Sequence, residues 1–445
     1  MSIDLELLET VSLSYQQIGA PQSILLALSG GTDSVVLLHL LIQLRREKGF
    51  DLSCVHINHG LREASDEEEK FVRNLTKQLD LPLYVKAIDV SRKGNLEEAA
   101  RTARYAAIQQ VQEQTQAEVV ALAHHANDQA ETILMHLMRG AGLAGFAGMV
   151  ELRAPYWRPL LKIEKTQLMT YLQKHRLQQV EDESNFDTRI LRNNIRHCLI
   201  PSLEDLAPGM VLRMSQTANI LQAEHDFLQR LEDDWLSKHA RINPPFIFLL
   251  RKPWQKQETA MKRRLVRSLC KTVCGELDYK QTERLVSFAS GFAGSTLNLP
   301  MNTTAVLSKD RLHILRDDVK LTKLTWPQPD WQTAGDDLGD GQREQVVDAA
   351  RVKGAAMRMV QKDDVIIPLG MKGTQSLRKY LSAKGVDRPF RFYWPVYARG
   401  NQVLWVPGCG VSEEASITLN TTSKVKLVFN SALPHEIDEN GGKTP

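Results

Sequence analysis

Ser29-Gly30-Gly31-Thr32-Asp33-Ser34 stands between the apolar run Ile24–Leu28 and the periodic segment Val35–Leu41. A buried strand, two glycines and a helix start gather free backbone N–H groups and the positive end of a helix at one point. A phosphate can approach such a backbone with no Cβ in its way. Ser29 and Ser34 add hydroxyl donors. No lysine follows the glycines, which excludes the G-K-[ST] phosphate loop. The same string also reads as a plain helix start capped by Ser29 or Thr32.

A second string, Ala123-His124-His125-Ala126-Asn127-Asp128-Gln129-Ala130-Glu131-Thr132, follows another apolar run and opens another helix. Asp128 and Glu131 are three apart and share a helix face. First-turn carboxylates are ordinary partners of the helix dipole, but beside a phosphate loop they would hold a cationic substrate or Mg²⁺. His124, His125 and His136 match no zinc spacing. His56 and Asn58 share one face of a strand end; with His59 and Gly60 they read as turn chemistry or as a wall of a nucleotide pocket. Arg101 is an i,i+4 partner for Glu97, or else Arg101 and Arg104 neutralise a triphosphate or its pyrophosphate leaving group. Asn185, Arg192 and Arg196 read as a surface loop capping a helix near Asn194, or as side chains facing nucleic acid or the reacting base. Gly140-Ala141-Gly142-Leu143-Ala144-Gly145 spells G-x-G-x-x-G but follows a helix rather than a strand. It is expected to be a flexible loop over the site, anchored by Phe146 and Met149.

These side chains need a frame. Strands are expected at Ser23–Leu28, Leu52–Ile57, Leu83–Ile88 and Glu118–Ala123, alternating with helices near 34–48, 63–80, 95–115 and 128–139. That alternation predicts an α/β fold, a doubly wound parallel sheet that binds ligands beyond the carboxyl ends of its strands. The polar strings fall at those ends. From 164 to 315 the pattern is mainly helical: Lys165–His175, Asn194–Leu206, Leu212–Trp235 and Glu258–Cys274. Trp326 to Asp340, rich in Pro and Asp, reads as a linker. Beyond it, strands at Met357–Val360, Val403–Val406 and Val425–Phe429 and a helix near 374–383 make a small α+β module. The expected domains are a catalytic domain at 1–210, a helical domain at 211–325, a linker at 326–350 and a C-terminal domain at 351–445.

At 445 residues the chain exceeds one ordinary core, and 42% hydrophobic with 24% charged residues describes a globular protein. Five scattered cysteines make no disulfide framework. Without a signal sequence or an apolar membrane span, a cytoplasmic protein with no membrane partner is expected. The net charge of +3 is unevenly spread. Residues 251–271 hold Arg263, Arg264 and Arg267 among eight basic residues against one acid; residues 371–400 hold Lys372, Arg378, Lys379, Arg388 and Arg391 among seven against one. Tyr380, Phe390, Phe392, Tyr393, Trp394 and Tyr397 interleave with the second cluster. One such cluster reads as a solvated face over an aromatic core; two, beside a nucleotide site, point to nucleic acid and stacked bases.

Together these strings resemble the PP-loop ATP pyrophosphatases and, within them, the bacterial tRNA(Ile)-lysidine synthetases. S-G-G-T-D-S, H-I-N-H-G-L-R, E-E-A-A-R-T-A-R-Y, A-H-H-A-N-D-Q-A-E-T, R-G-A-G-L-A-G, R-P-L-L and E-D-E-S-N run in the family's order through about 25–196, and Leu369–Gly408 is similar to its C-terminal domain. Asn127 stands where many members have Asp, and Ile190 where Tyr is frequent. The resemblance implies ligation of lysine to the wobble cytidine of tRNA(Ile) with a CAU anticodon, through an adenylated cytidine, with ATP and Mg²⁺. It implies ATP contacts from Ser29, Gly30, Gly31, Thr32, Asp33, Ser34, His56 and Asn58, and a metal contact from Asp33. Arg101 and Arg104 would act on ATP, His124 would position phosphate or base, and Asp128 and Glu131 would grip lysine. Asn185, Arg192, Arg196 and the basic residues of both clusters would bind tRNA. The oligomeric state stays open, a homodimer included. The alternatives are another PP-loop enzyme such as a tRNA thiolase, which needs a cysteine pair near the site, and a non-catalytic RNA-binding protein that senses ATP.

Overall fold

A computed structural model describes residues 3–58, 64–88, 96–180, 189–243, 246–316, 325–335, 338–434 and 436. The chain divides into two compact units, Met1–Leu228 and Gln229–Pro445. His59, Gly60, Asn185 and the E-D-E-S-N string lie outside the described residues.

The first unit runs α1 (Ile3–Gln17), β1 (Ser23–Ala27), α2 (Thr32–Lys48), β2 (Asp51–Asn58), α3 (Ala64–Gln78), β3 (Leu83–Ala87), α4 (Leu96–Thr115), β4 (Val119–Ala121) and α5 (Ala126–Met138). It continues with α6 (Leu143–Phe146), β5 (Leu152–Arg153), β6 (Tyr156–Trp157), α7 (Lys165–Lys174), α8 (Leu191–Asn194), a π-turn at Ile195–Leu199, α9 (Ile200–Leu206) and most of α10 (Met210–His239). The sheet order is β3-β2-β1-β4-β6-β5, parallel except at the edge pair β5/β6. Strand β1 shows why it lies at the centre. Ile24 and Leu26 pack on one face with Leu37, Leu41 and Trp157, while Leu25 packs on the other with Val55, Ile108 and Val111. A strand apolar on both faces needs helices on both sides, the expected doubly wound arrangement.

The second unit carries β7 (Ala240–Asn243), β8 (Phe246–Leu250), α11 (Arg251–Gln255), α12 (Thr259–Cys274), α13 (Tyr279–Ala289), β9 (Thr296–Leu299), β10 (Thr303–Leu307) and β11 (Arg311–Arg316). These strands form an antiparallel sheet ordered β7-β8-β11-β10-β9. The expected mainly helical segment therefore also holds a five-stranded sheet; strands of four to six residues alternating with turns were hidden beside the long helices. The expected linker is also corrected. It holds β12 (Asp330–Thr333) and β13 (Glu344–Asp348), which flank the C-terminal strand Lys424–Val428 in one sheet, and Trp326 is buried in the same core. Pro and Asp here punctuate two short strands rather than mark a free tether. The strands Ala356–Met359, Pro395–Arg399 and Gln402–Val406, three two-residue strands at Val365–Ile366, Gln375–Ser376 and Gly410–Val411, and the helix Leu377–Ala383 complete the expected α+β module.

Candidate active site

The carboxyl ends of β1, β2 and β4 open on a cavity of about 710 Å³. Its floor is the loop between β1 and α2. Gly30 has φ +93°, and a Cβ there would stand 3.3 Å from Phe71 and Val72, so this turn needs glycine. Gly30 N donates to Ser34 Oγ at 3.2 Å, Ser34 Oγ donates to Gly31 O at 3.0 Å, and the two serine hydroxyls lie 3.1 Å apart. Helix α2 has Gly31 as its N-cap, with no side chain capping it. Its first N–H groups and its positive end face the cavity without a protein acceptor from a capping side chain, the arrangement an anion occupies. Val180 N donates to Gly30 O at 3.0 Å and Thr32 Oγ1 donates to Gln179, so the segment after α7 braces the loop.

Helix α5 supplies the opposite wall. Its N-cap is reciprocal: Asn127 N donates to His125 Nδ1 at 3.2 Å and His125 N donates to Asp128 Oδ2 at 3.0 Å. The His125 ring then reaches both Asp33 Oδ2 and Asp128 Oδ2 from Nε2, each at 3.4 Å. Burial opposes charge on His125, but the Asp128 and Asp33 carboxylates outweigh it and raise its pKa. Burial likewise pushes Asp33 and Asp128 up, and their cationic neighbours more than reverse this, so both stay ionised. His124 behaves oppositely. Burial, with Arg158, Arg192 and Arg104 nearby, pushes it down to about 3, so it is a neutral imidazole at ordinary pH.

Two arginines pair with this wall's carboxylates, and Arg196 of the two lines the cavity. Arg192 and Arg196 are four apart across the π-turn and reach the same carboxylates. Arg192 Nε donates to Glu131 Oε2 at 2.7 Å, and Arg196 Nε donates to Glu131 Oε1 at 2.6 Å. One terminal nitrogen of each reaches Asp128 Oδ1, at 3.3 and 3.0 Å. Glu131 is wholly buried, and both guanidinium groups pair with it. The apolar lining of the cavity includes Ala27, Leu28, Val55, Ile57, Tyr105 and Ile108.

Most of the expected site therefore converges: Ser29, Gly31, Thr32, Asp33, Ser34, Arg104, His124, Asp128, Glu131 and Arg196 all line this cavity. Three expectations are corrected. His56 and Asn58 share a strand face, but it is the face turned away; Val55 and Ile57 line the cavity, while Asn58 Nδ2 donates to Glu69 of α3 at 2.8 Å and His56 meets Leu28 O. Arg101 is exposed, its guanidinium over the Tyr105 ring, and does not line the cavity. The glycine-rich segment at 140–145 runs into α6, tied by His136 and by two hydrogen bonds between Gln129 and Met149, and does not line the cavity either. Sequence reading passed over Lys165, whose Nζ lies 3.5 Å from Asp33 Oδ2; nothing in its own segment signals this, because the fold brings α7 to the loop.

Asp33 Oδ1 is buried without a hydrogen-bond partner among the described residues. An ionised oxygen so placed fits a hard cation shared with phosphates. Neither Cys54, buried in β2 with its thiol pushed up to about 12, nor the exposed Cys198 lines the cavity.

The basic clusters are less uniform. Arg263 and Arg264 form ion pairs with Glu283 and Glu232, and Arg267 is exposed. Lys372, Arg378, Lys379 and Arg388 are exposed, but Arg391 Nε donates to Val386 O at 2.7 Å. Tyr380, Phe390, Trp394 and Tyr397 are buried in the module's core and cannot stack on bases, which corrects that expectation. Phe392 is exposed, with Arg378 over its ring.

A parallel sheet whose first strand delivers an uncapped, glycine-bearing loop into a charged cavity defines an ATP-using PP-loop enzyme, and residues 7–203 match the PP-loop domain family. Residues 356–427 match the TilS substrate C-terminal domain. The chain is similar to the tRNA(Ile)-lysidine synthase of Caldanaerobacter subterraneus subsp. tengcongensis, 30% identical across 93% of this chain and 95% of that one. It is 33% identical to the synthase of Geobacter sulfurreducens across 89% and 90%. With the enzyme of Pseudomonas aeruginosa it shares 41% over 210 residues, 46% of this chain and 47% of that one. The chain belongs to the tRNA(Ile)-lysidine synthase family. No helix among the described residues is long and apolar enough to cross a membrane.

Proposed function

We propose that this enzyme joins free lysine to the wobble cytidine of tRNA(Ile) bearing a CAU anticodon. The cytidine 2-oxygen attacks the α-phosphorus of ATP, and the bond to the β-phosphate breaks with release of pyrophosphate. The lysine ε-amine then attacks carbon 2, loses a proton, and expels AMP carrying the former 2-oxygen. Adenylation turns a poor leaving group into a good one.

The observation that carries this reading is one cavity with two chemically opposite ends. The uncapped start of α2 and the Ser29 and Ser34 hydroxyls suit the phosphates. Mg²⁺ would be held by Asp33 and would offset charge on the departing pyrophosphate. At the other end, Asp128 and Glu131 alternate with Arg192 and Arg196. Such an alternation suits a zwitterion: the carboxylates take the α-ammonium of lysine and a guanidinium its α-carboxylate, which leaves the ε-amine for attack. Neutral His124 positions the base or phosphate without adding charge. Lys372, Arg378, Lys379, Arg388 and Arg267 bind the tRNA backbone.

The test incubates the protein with ATP, Mg²⁺, radiolabelled lysine and tRNA transcripts carrying CAU anticodons. Label fixed in isoleucine-type but not methionine-type transcript is the expected result. Pyrophosphate release without fixed label would reject lysine as the nucleophile and leave the PP-loop chemistry standing.

A further inference from the structure

The loop lacks the lysine that a G-K-[ST] loop carries, and the cavity supplies an ammonium from elsewhere. Its lining holds three Lys and Arg side chains, Arg104, Lys165 and Arg196. Arg196 is committed to Asp128 and Glu131, and Arg104 stands beside Tyr105. Lys165 alone among the three pairs with the loop's own carboxylate, Asp33, at 3.5 Å, and its side chain is 40% exposed. A pair that long and that exposed is worth at most about 1 kcal/mol, so a stronger anion can take the ammonium at little cost. The base of the side chain, in contrast, is fixed. Lys165 N donates to Asn127 Oδ1 at 3.0 Å, which ties the first turn of α7 to the first turn of α5.

We propose that Lys165 is a phosphate-binding residue for the terminal phosphates of ATP and for pyrophosphate, and that Asn127 is the positioning residue that aims it. The inference rests on the nucleotide reading of the cavity. On ATP binding the ammonium leaves Asp33 for the β- and γ-phosphate oxygens, which frees Asp33 for a cation of its own. An Asp at 127 would accept the same N–H, so the acceptor matters at this position and the amide does not.

The test titrates the full-length protein calorimetrically with ATP, inorganic pyrophosphate and AMP. Lys165→Met is expected to weaken ATP and pyrophosphate at least tenfold, leave AMP within twofold, and leave the KM for lysine within twofold. Lys165→Arg should retain most of the affinity. Asn127→Ala should shift ATP and pyrophosphate in the same direction by a smaller factor, with Asn127→Asp restoring them. Unchanged pyrophosphate affinity in Lys165→Met, or an equal loss for AMP, overturns the inference while ATP binding by the wild type keeps the nucleotide reading. A wild type that binds no ATP overturns both.

Discussion

The cavity of the first unit and the basic face of the C-terminal module use charge in opposite ways. At the cavity, Asp33, Asp128, Glu131, His125, Arg192 and Arg196 form one largely buried network of ion pairs in which the two aspartates and His125 hold one another charged. On the C-terminal module, Lys372, Arg378, Lys379 and Arg388 are exposed and stand over an apolar core of Tyr380, Phe390, Trp394 and Tyr397. Chemistry requires pre-organised charge in low dielectric; holding a long polyanion requires many weak, replaceable contacts. Substitutions should therefore be sharply non-additive in the first region and nearly additive in the second.

The largest effect is expected at Glu131. Glu131→Ala leaves two half-buried guanidinium groups sharing Asp128 alone of their two carboxylates and should destabilise the first unit by about 3 kcal/mol, measured by denaturant unfolding; Glu131→Ala with Arg192→Ala should recover part of that loss. Asp33→Asn keeps the shape and removes the charge shared by His125 and Lys165. It should lower kcat/KM for lysine transfer by about 10²–10³-fold, with tRNA affinity unchanged in a filter-binding titration.

Asp387 sharpens the contrast, because it is a cavity-like site in the second unit. Burial pushes its carboxyl up, but His313 and Arg311, at 3.2 and 2.7 Å, reverse this and hold it down at about 2. A carboxyl depressed in the folded state stabilises above its unfolded pKa, near 4, and that stability is lost as pH falls from there towards 2. The contribution is about 2 kcal/mol, and Asp387→Asn should flatten the acid limb of the unfolding curve. The smallest effects belong to the exposed face. Single replacements of Lys372, Arg378, Lys379 or Arg388 by Ala should each weaken tRNA binding a few-fold, in near-additive steps. Each phosphate contact removed should lower the salt-dependence slope by about 0.7–0.9.

What could be read from the chain follows the same division. The strand–helix alternation of 22–140 was legible because buried strands and amphipathic helices leave strong periodic patterns, and the loop at 29–34 falls where the alternation places it. Strand β2 marks where pattern stops: period two puts His56 and Asn58 on one face, but only the packing of α3 decides that Val55 and Ile57 face the nucleotide side. Arg192 and Arg196 carried no sign that they would meet Asp128 and Glu131, more than sixty residues away. The aromatic residues among the C-terminal bases had the composition of a stacking surface, yet four of them are core; composition does not distinguish a ring beneath a basic face from one upon it.

The most direct measurement follows the wobble oxygen. A tRNA(Ile) transcript carrying ¹⁸O at the 2-position of the wobble cytidine would be reacted with ATP and lysine, and the released AMP analysed by mass spectrometry. If the cavity adenylates the base and an amine then expels the nucleotide, the AMP carries the heavy oxygen in proportion to lysine fixed. Unlabelled AMP, with ¹⁸O retained in the tRNA or lost to water, would contradict the account.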